Sequence, residues 1–246
     1  MDQQNRGFNI IEQEYQKSQA MPVVKTFMAN VFTWMTVAMV ITAVTAYFFA
    51  SSAELIASLR TPQGGLSGLG WIVTLAPLGF VLLMSMGFQR LSPAIMSLLF
   101  IAFSVLMGMS LSFIFLIYTR SSIFQTFLIS GGMFGLMAVL GYTTKTDLTK
   151  FGSIMMMGFI GIFIAMIVNM FLGSSVLEYI ISVIGVLVFT GLTAYDVQKL
   201  KRIGAGEGMN TGDANVRKLS ILGALTLYLD FINLFLFLLR FMGDRR

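Results

Sequence analysis

Two aspartates stand in stretches that otherwise avoid charge. Asp230 lies inside LTLYLDFINLFLFLLR (225–240), and Asp196 ends VFTGLTAYD (188–196). A carboxylate at the centre of a membrane helix costs about 2.5–3.5 kcal/mol on insertion scales, so an acid kept there has a partner or a use. Two carboxylates in contact cannot both ionise cheaply, and one proton shared between them gives two separated titrations. Such a pair is a proton-sensitive latch, hydrogen-bonded while one acid is protonated and repelling when both are charged. The doubly charged form is also an oxygen-rich cation site of the kind Ca²⁺ prefers. The plainer alternative is that each aspartate hydrogen-bonds a neighbouring hydroxyl.

The spacing predicts an inward-facing pair. Gly223, Thr226, Asp230 and Asn233 recur at helical intervals and make one small or polar stripe, while Thr193 and Asp196 share a face of the preceding helix. The two helices are consecutive and therefore run antiparallel. Asp196 comes late in the first and Asp230 well into the second, so contact requires an offset or a tilt.

The elements that position them are membrane spans. The chain has 246 residues, 57% hydrophobic and 11% charged, against the roughly 25% charged residues of a soluble domain. Seven runs reach the ~20 apolar residues a span needs: 27–50, 70–88, 93–118, 123–142, 154–172, 176–200 and 219–242. They predict an all-α membrane protein, a seven-helix transmembrane domain over 26–246 behind a polar tail at 1–25. That tail has room for a short interfacial helix carrying Phe8, Ile10, Ile11 and Tyr15.

The chain contains no Cys and no His, which excludes disulfides, thiol catalysis, Ser-His-Asp triads and HExxH zinc chemistry. No cofactor and no enzymatic activity are expected. The net charge of +5 reads as membrane topology rather than nucleic-acid binding. Arg6, Lys17, Lys25, Arg90, Lys145, Lys150, Lys199, Lys201, Arg202, Arg217 and Lys218 fall on one side. Arg60, Arg120, Arg240, Arg245 and Arg246 fall on the other. The positive-inside rule then puts the N-terminus in the cytoplasm and the C-terminus outside.

Smaller signals read as packing or connection. Gly131 and Gly135, and Gly161 and Ala165, have the small-xxx-small spacing of closely packed helices. Met155, Met156 and Met157 read as adaptable packing rather than a soft-metal path. GAGEGMNTG (204–212) reads as a flexible connector, because no strand precedes it and no GK[ST] follows. Asn169 reads as an interhelical hydrogen-bonding group and Glu178 as an exposed helix entrance.

At these residues the sequence resembles the Bax inhibitor-1/YccA family. The resemblance is carried by GLTAYDVQKLKR (191–202), LTLYLDFINLFLFLLR (225–240) and GYTTKTDLTKFGS (141–153), and it covers the seven-helix span but little of the first twenty-five residues. It implies a bundle in which six helices surround the central seventh. It implies a pH-sensitive Ca²⁺ leak whose proton sensor matches Asp196 and Asp230, the same acids that the carboxylate chemistry above makes the candidate calcium ligands. A family arginine that latches the aspartates falls on Arg90 in MGFQRLSP (86–93), where relatives can show a basic cluster and this chain has one arginine. The resemblance further implies a bacterial inner-membrane location and a link to the membrane protease FtsH through the N-terminal tail.

The expectation is therefore a cation leak, chiefly for Ca²⁺, closed by a protonated or Arg90-braced aspartate pair. A non-transporting modulator of FtsH is the alternative. An intramembrane aspartyl protease is a third reading: AYD at 194–196 fits its first motif, but LYLD replaces the second motif's GxGD, and no proline follows Pro93. A retinal protein needs a lysine in its last span, and 219–242 has none.

Overall fold

The computed structural model describes residues 2–63, 65–206 and 213–246, with side chains from residue 22 onward except that of residue 213. The described residues form nine helices: α1 Asp2–Ser51, α2 Ala53–Ser58, α3 Gly68–Met86, α4 Pro93–Leu111, α5 Ile114–Ile117, α6 Arg120–Thr143, α7 Thr149–Leu172, α8 Ser175–Gly204 and α9 Asp213–Met242. They supply seven stretches long and apolar enough to cross a membrane: Pro22–Ser51, Gly68–Met86, Pro93–Ile117, Arg120–Thr143, Thr149–Leu172, Ser175–Gly204 and Ala214–Met242.

Local chemistry explains where they begin. Ser67, Ser92, Thr119 and Ser174 each stand just before a span and accept a hydrogen bond from a backbone N–H of its first turn, so a short polar residue closes an otherwise orphaned donor. The 93–118 run, expected as one helix, is broken between α4 and α5. The Ser112 hydroxyl donates to the Met109 carbonyl at 2.6 Å at the break. The first span is continuous with a helix that starts at Asp2.

The seventh span is the axis of the bundle. Its most apolar window is 72% buried against 11% for the fifth, and α9 packs on α1, α4, α6 and α8. Leu227, Tyr228 and Leu234 on α9 have no exposed surface. Conversely, apolar side chains such as Leu136, Phe171 and Leu187 face outward, as residues bathed in hydrocarbon should.

Close helix contacts do not use the expected small-residue pairs. The space a Cβ would occupy is open at Gly131, Gly135 and Gly161, so these glycines face away from the bundle. The tight approaches are Gly141 against the Ala194 backbone, Gly152 against the Tyr195 ring and Gly108 against the Thr42 carbonyl oxygen. Spacing alone marks a helix face but not which face is turned inward. Met155 packs against Gly191.

Candidate functional site

α8 and α9 are held antiparallel by a register that two glycines report. A Cβ on Gly223 of α9 would lie 2.7 Å from Leu200 Cδ2 of α8, and one on Gly185 of α8 would lie 2.5 Å from the Phe237 ring of α9. Between these two contacts the register sets Asp196 level with residues 226–227, about one turn (~5 Å) from the level of Asp230. Asp230 sits seventeen residues into α9, about 25 Å along it, whereas Asp196 is eight residues, about 12 Å, from the end of α8. The anticipated offset is therefore real: the start of α9 overhangs the end of α8.

The two carboxyl groups are neighbours close enough for the charge of one to act on the other. Both residues are buried, Asp196 at 7% and Asp230 at 5% exposure. No donor among the described residues reaches Oδ2 of Asp230. A contact between two carboxyls is a hydrogen bond only when one carries a proton, so the geometry has a place for a proton that no side chain supplies.

Neighbouring hydroxyls do not relieve the acids. Thr193 donates to the Phe189 carbonyl at 2.8 Å, Thr226 to the Leu222 carbonyl at 3.1 Å, and Asn233 Nδ2 to the Leu229 carbonyl at 2.8 Å. Each polar member of the stripe is turned onto its own helix, and the aspartates are left to one another. Asn169 likewise does not bridge helices; its Oδ1 accepts from the Ser174 N–H at 3.1 Å and closes the α7–α8 turn. Glu178 is ion-paired at that end, 2.8 Å from Arg245 and 4.0 Å from Arg240.

Arg90 is not brought to the pair. It lies in the turn between α3 and α4, exposed, with no ion pair to either aspartate among the described residues. The basic group that reaches inward beside that turn is Lys218 of α9, 7% exposed, whose ammonium donates to the Phe88 carbonyl at 2.9 Å. The cation whose charge acts on Asp196 is Lys199, one turn further along α8.

The α8 end that follows Asp196 grips the α6–α7 connector. Gln198 Nε2 donates to the Thr146 carbonyl and its Oε1 accepts from the Leu148 N–H, both at 2.8 Å. Lys201 donates to the Tyr142 carbonyl at 2.7 Å, and Arg202 pairs with Asp147 at 2.6 Å. The Asp147 carboxyl is held well below the usual carboxylate range, first by the Thr149 hydroxyl and then by Arg202. Sequence reasoning missed this clamp. Its signal was the 198, 201, 202 spacing, which places three long polar side chains on one helix face. Much of the connector at 204–212 lies outside the described residues.

Ca²⁺ ligation has a partial basis here. Two carboxylates offer at most four oxygens of the six to eight that Ca²⁺ takes, and no cluster of three or more His, Cys, Asp or Glu occurs among the described residues.

Seven apolar helices around a buried acid pair define a multi-pass α-helical membrane protein. Residues 24–246 match the family described as "Inhibitor of apoptosis-promoting Bax1", and the chain belongs to this Bax inhibitor-1 family. It is 49% identical over 223 residues to the inner membrane protein YbhL of Escherichia coli K12, covering 90% of this chain and 93% of YbhL. It is 45% identical over 222 residues to the uncharacterized protein RP147 of Rickettsia prowazekii, covering 90% and 91%. An uncharacterized protein of Borreliella burgdorferi is 43% identical over 232 residues, covering 94% and 97%.

Proposed function

We propose that this protein is a pH-governed cation leak, with Ca²⁺ as cargo, gated by Asp196 and Asp230. The observation that carries the reading is the proximity of two buried carboxyls, with Asp230 Oδ2 lacking any donor among the described residues. With one proton in the pair, the hydrogen bond holds α8 on α9 and the bundle is closed. Loss of that proton leaves two like charges. Charges about 4 Å apart at an effective dielectric near 20 repel by about 4 kcal/mol, more than the ~0.6–2 kcal/mol of an interhelical hydrogen bond. Repulsion therefore wins, and either the helices part or a cation enters to neutralise them.

The surroundings leave this control to few groups. Apart from Asp230, no charged residue occupies 26–53, 61–89, 91–119, 121–144, 151–177 or 219–239, and α8 has none between Glu178 and Asp196. Among the described residues, Lys199 is the other charge that acts on Asp196.

Likeness to YbhL supports a bacterial inner-membrane location. The basic side then faces the cytoplasm and the C-terminus faces outward. Eleven Lys and Arg on the cytoplasmic side against five on the other carry that orientation. The test is Ca²⁺ flux into proteoliposomes between about pH 6 and 8, with flux expected to rise with pH. If Asp196→Asn and Asp230→Asn leave flux and its pH response untouched, the pair is no gate.

A further inference from the structure

A second feature lies away from the aspartates. α1 and α6 each pack on α9 but make little contact with one another, and between them opens a cavity of about 430 Å³. Its floor is Phe231, Ile232 and Phe235 of α9, and its walls are apolar apart from Thr42, Tyr47 and Arg120. The Thr42 hydroxyl is turned away, donating to the Ser104 carbonyl at 2.9 Å. Exposed Tyr47 and Phe124 flank the opening toward the surrounding hydrocarbon.

We propose that this cavity takes an acyl chain of an anionic phospholipid from the surrounding bilayer, with the lipid phosphate on Arg120. The size falls within the ~300–1,000 Å³ of ligand sites, and an apolar hollow open to lipid fills with what surrounds it. Arg120 fixes the headgroup. It is the first residue of α6, where the helix dipole favours an anion although Thr119 already caps the Ser122 N–H, and its guanidinium makes no ion pair with any described acid. Its one ring partner is Tyr47, with the guanidinium 5.8 Å from the ring centre at the mouth of the cavity. A tyrosine at the end of a span marks the headgroup level, so phosphate and guanidinium meet at matching depth. The preference for net negative charge follows from the lining, which contains no acid to receive the ammonium of a zwitterionic lipid. This inference stands apart from the leak reading.

The test is native mass spectrometry of the full chain released from detergent after incubation with phosphatidylglycerol or phosphatidylcholine of equal chain length. Wild type should retain phosphatidylglycerol about tenfold better, the scale of one charge-assisted hydrogen bond. Arg120→Ala should bring phosphatidylglycerol down to the phosphatidylcholine level. Ala43→Phe, at an exposed position lining the cavity, should remove retention of both lipids. Lys150→Ala, an exposed basic residue in the first turn of α7, should change nothing. Equal retention of the two lipids, or retention unmoved by Arg120→Ala and Ala43→Phe, overturns the proposal. So does a lipid-free dimer that Ala43→Phe converts to monomer, since a second copy would then be the occupant.

Discussion

Tyr228 of α9 and Thr42 of α1 share a hydrogen bond of 2.8 Å between hydroxyl oxygens, both residues buried. Thr42 has one proton and gives it to the Ser104 carbonyl at 2.9 Å, so Tyr228 is the donor to Thr42. Three spans are thereby joined two residues from Asp230. Tyr228→Phe removes the donor without changing the ring that packs edge-on against Phe100 and Phe103. Thr42 keeps its own acceptor, so the expected loss is about 1 kcal/mol. It should appear as a lower melting temperature in detergent, while the midpoint of any pH response stays where it was. A midpoint that moved with Tyr228→Phe would place the hydroxyl inside the proton-handling group.

Replacing one acid by its amide separates latch from cation site. In Asp230→Asn, the carboxamide N–H₂ donates to the Asp196 carboxylate at every pH, and the like-charge repulsion cannot form. Flux at pH 8 should fall to the level wild type shows at pH 6, and the profile between them should flatten. Asp196→Asn should do the same. If one variant flattens the profile and the other leaves it intact, the two acids do not share the proton.

The parts of this fold legible in sequence are those set by hydrophobic length. Each span is an apolar run bounded by Ser, Thr, Gly or charge, and the seven observed spans agree with the runs to within a few residues at most ends. The burial of Asp196 and Asp230 was also legible, because both stand on the small or polar faces of their helices. The Arg90 brace was not supported by geometry: the chain turns at Gly87, which makes α3 end before its arginine can point inward. The break at Ser112 was invisible because the surrounding run stays apolar through Ile117. At the break the Ser112 hydroxyl returns to the Met109 carbonyl, a bond that serines also make inside unbroken helices. Likewise, the Gln198 clamp depends on backbone groups of the α6–α7 connector, whose position the spacing on α8 does not reveal.

Asp147 offers a control for pH. Its carboxyl is held below the ordinary carboxylate range by Thr149 and Arg202, so whatever it contributes is present above its unfolded value and is lost only as pH falls through the depressed folded value, in strong acid. Between about pH 6 and 8 it stays charged. Asp147→Asn should therefore loosen the connector equally across that range and leave the pH response of flux unshifted. Gln198→Ala should loosen it more, by about 1–3 kcal/mol, because the Thr146 carbonyl and the Leu148 N–H lose their shared partner. Hydrogen exchange at residues 144–149 measures both. Faster exchange in Asp147→Asn than in Gln198→Ala would contradict the ranking.

Gly135 and Gly141 lie on one helix and test which face of α6 is turned inward. A methyl at Gly141 would strike the Ala194 carbonyl oxygen, two residues before Asp196 on α8, and backbone has little freedom to give way. Gly141→Ala should cost about 1–3 kcal/mol through overpacking and should disturb the acid pair by pushing α8 away from α6. At Gly135 the added methyl meets nothing within 4 Å, so Gly135→Ala should be neutral or stabilising by up to about 1 kcal/mol from helix propensity. Melting of the two variants side by side distinguishes them without assuming any activity. The reverse order, with Gly135→Ala the damaging change, would mean that the GxxxG face is buried after all.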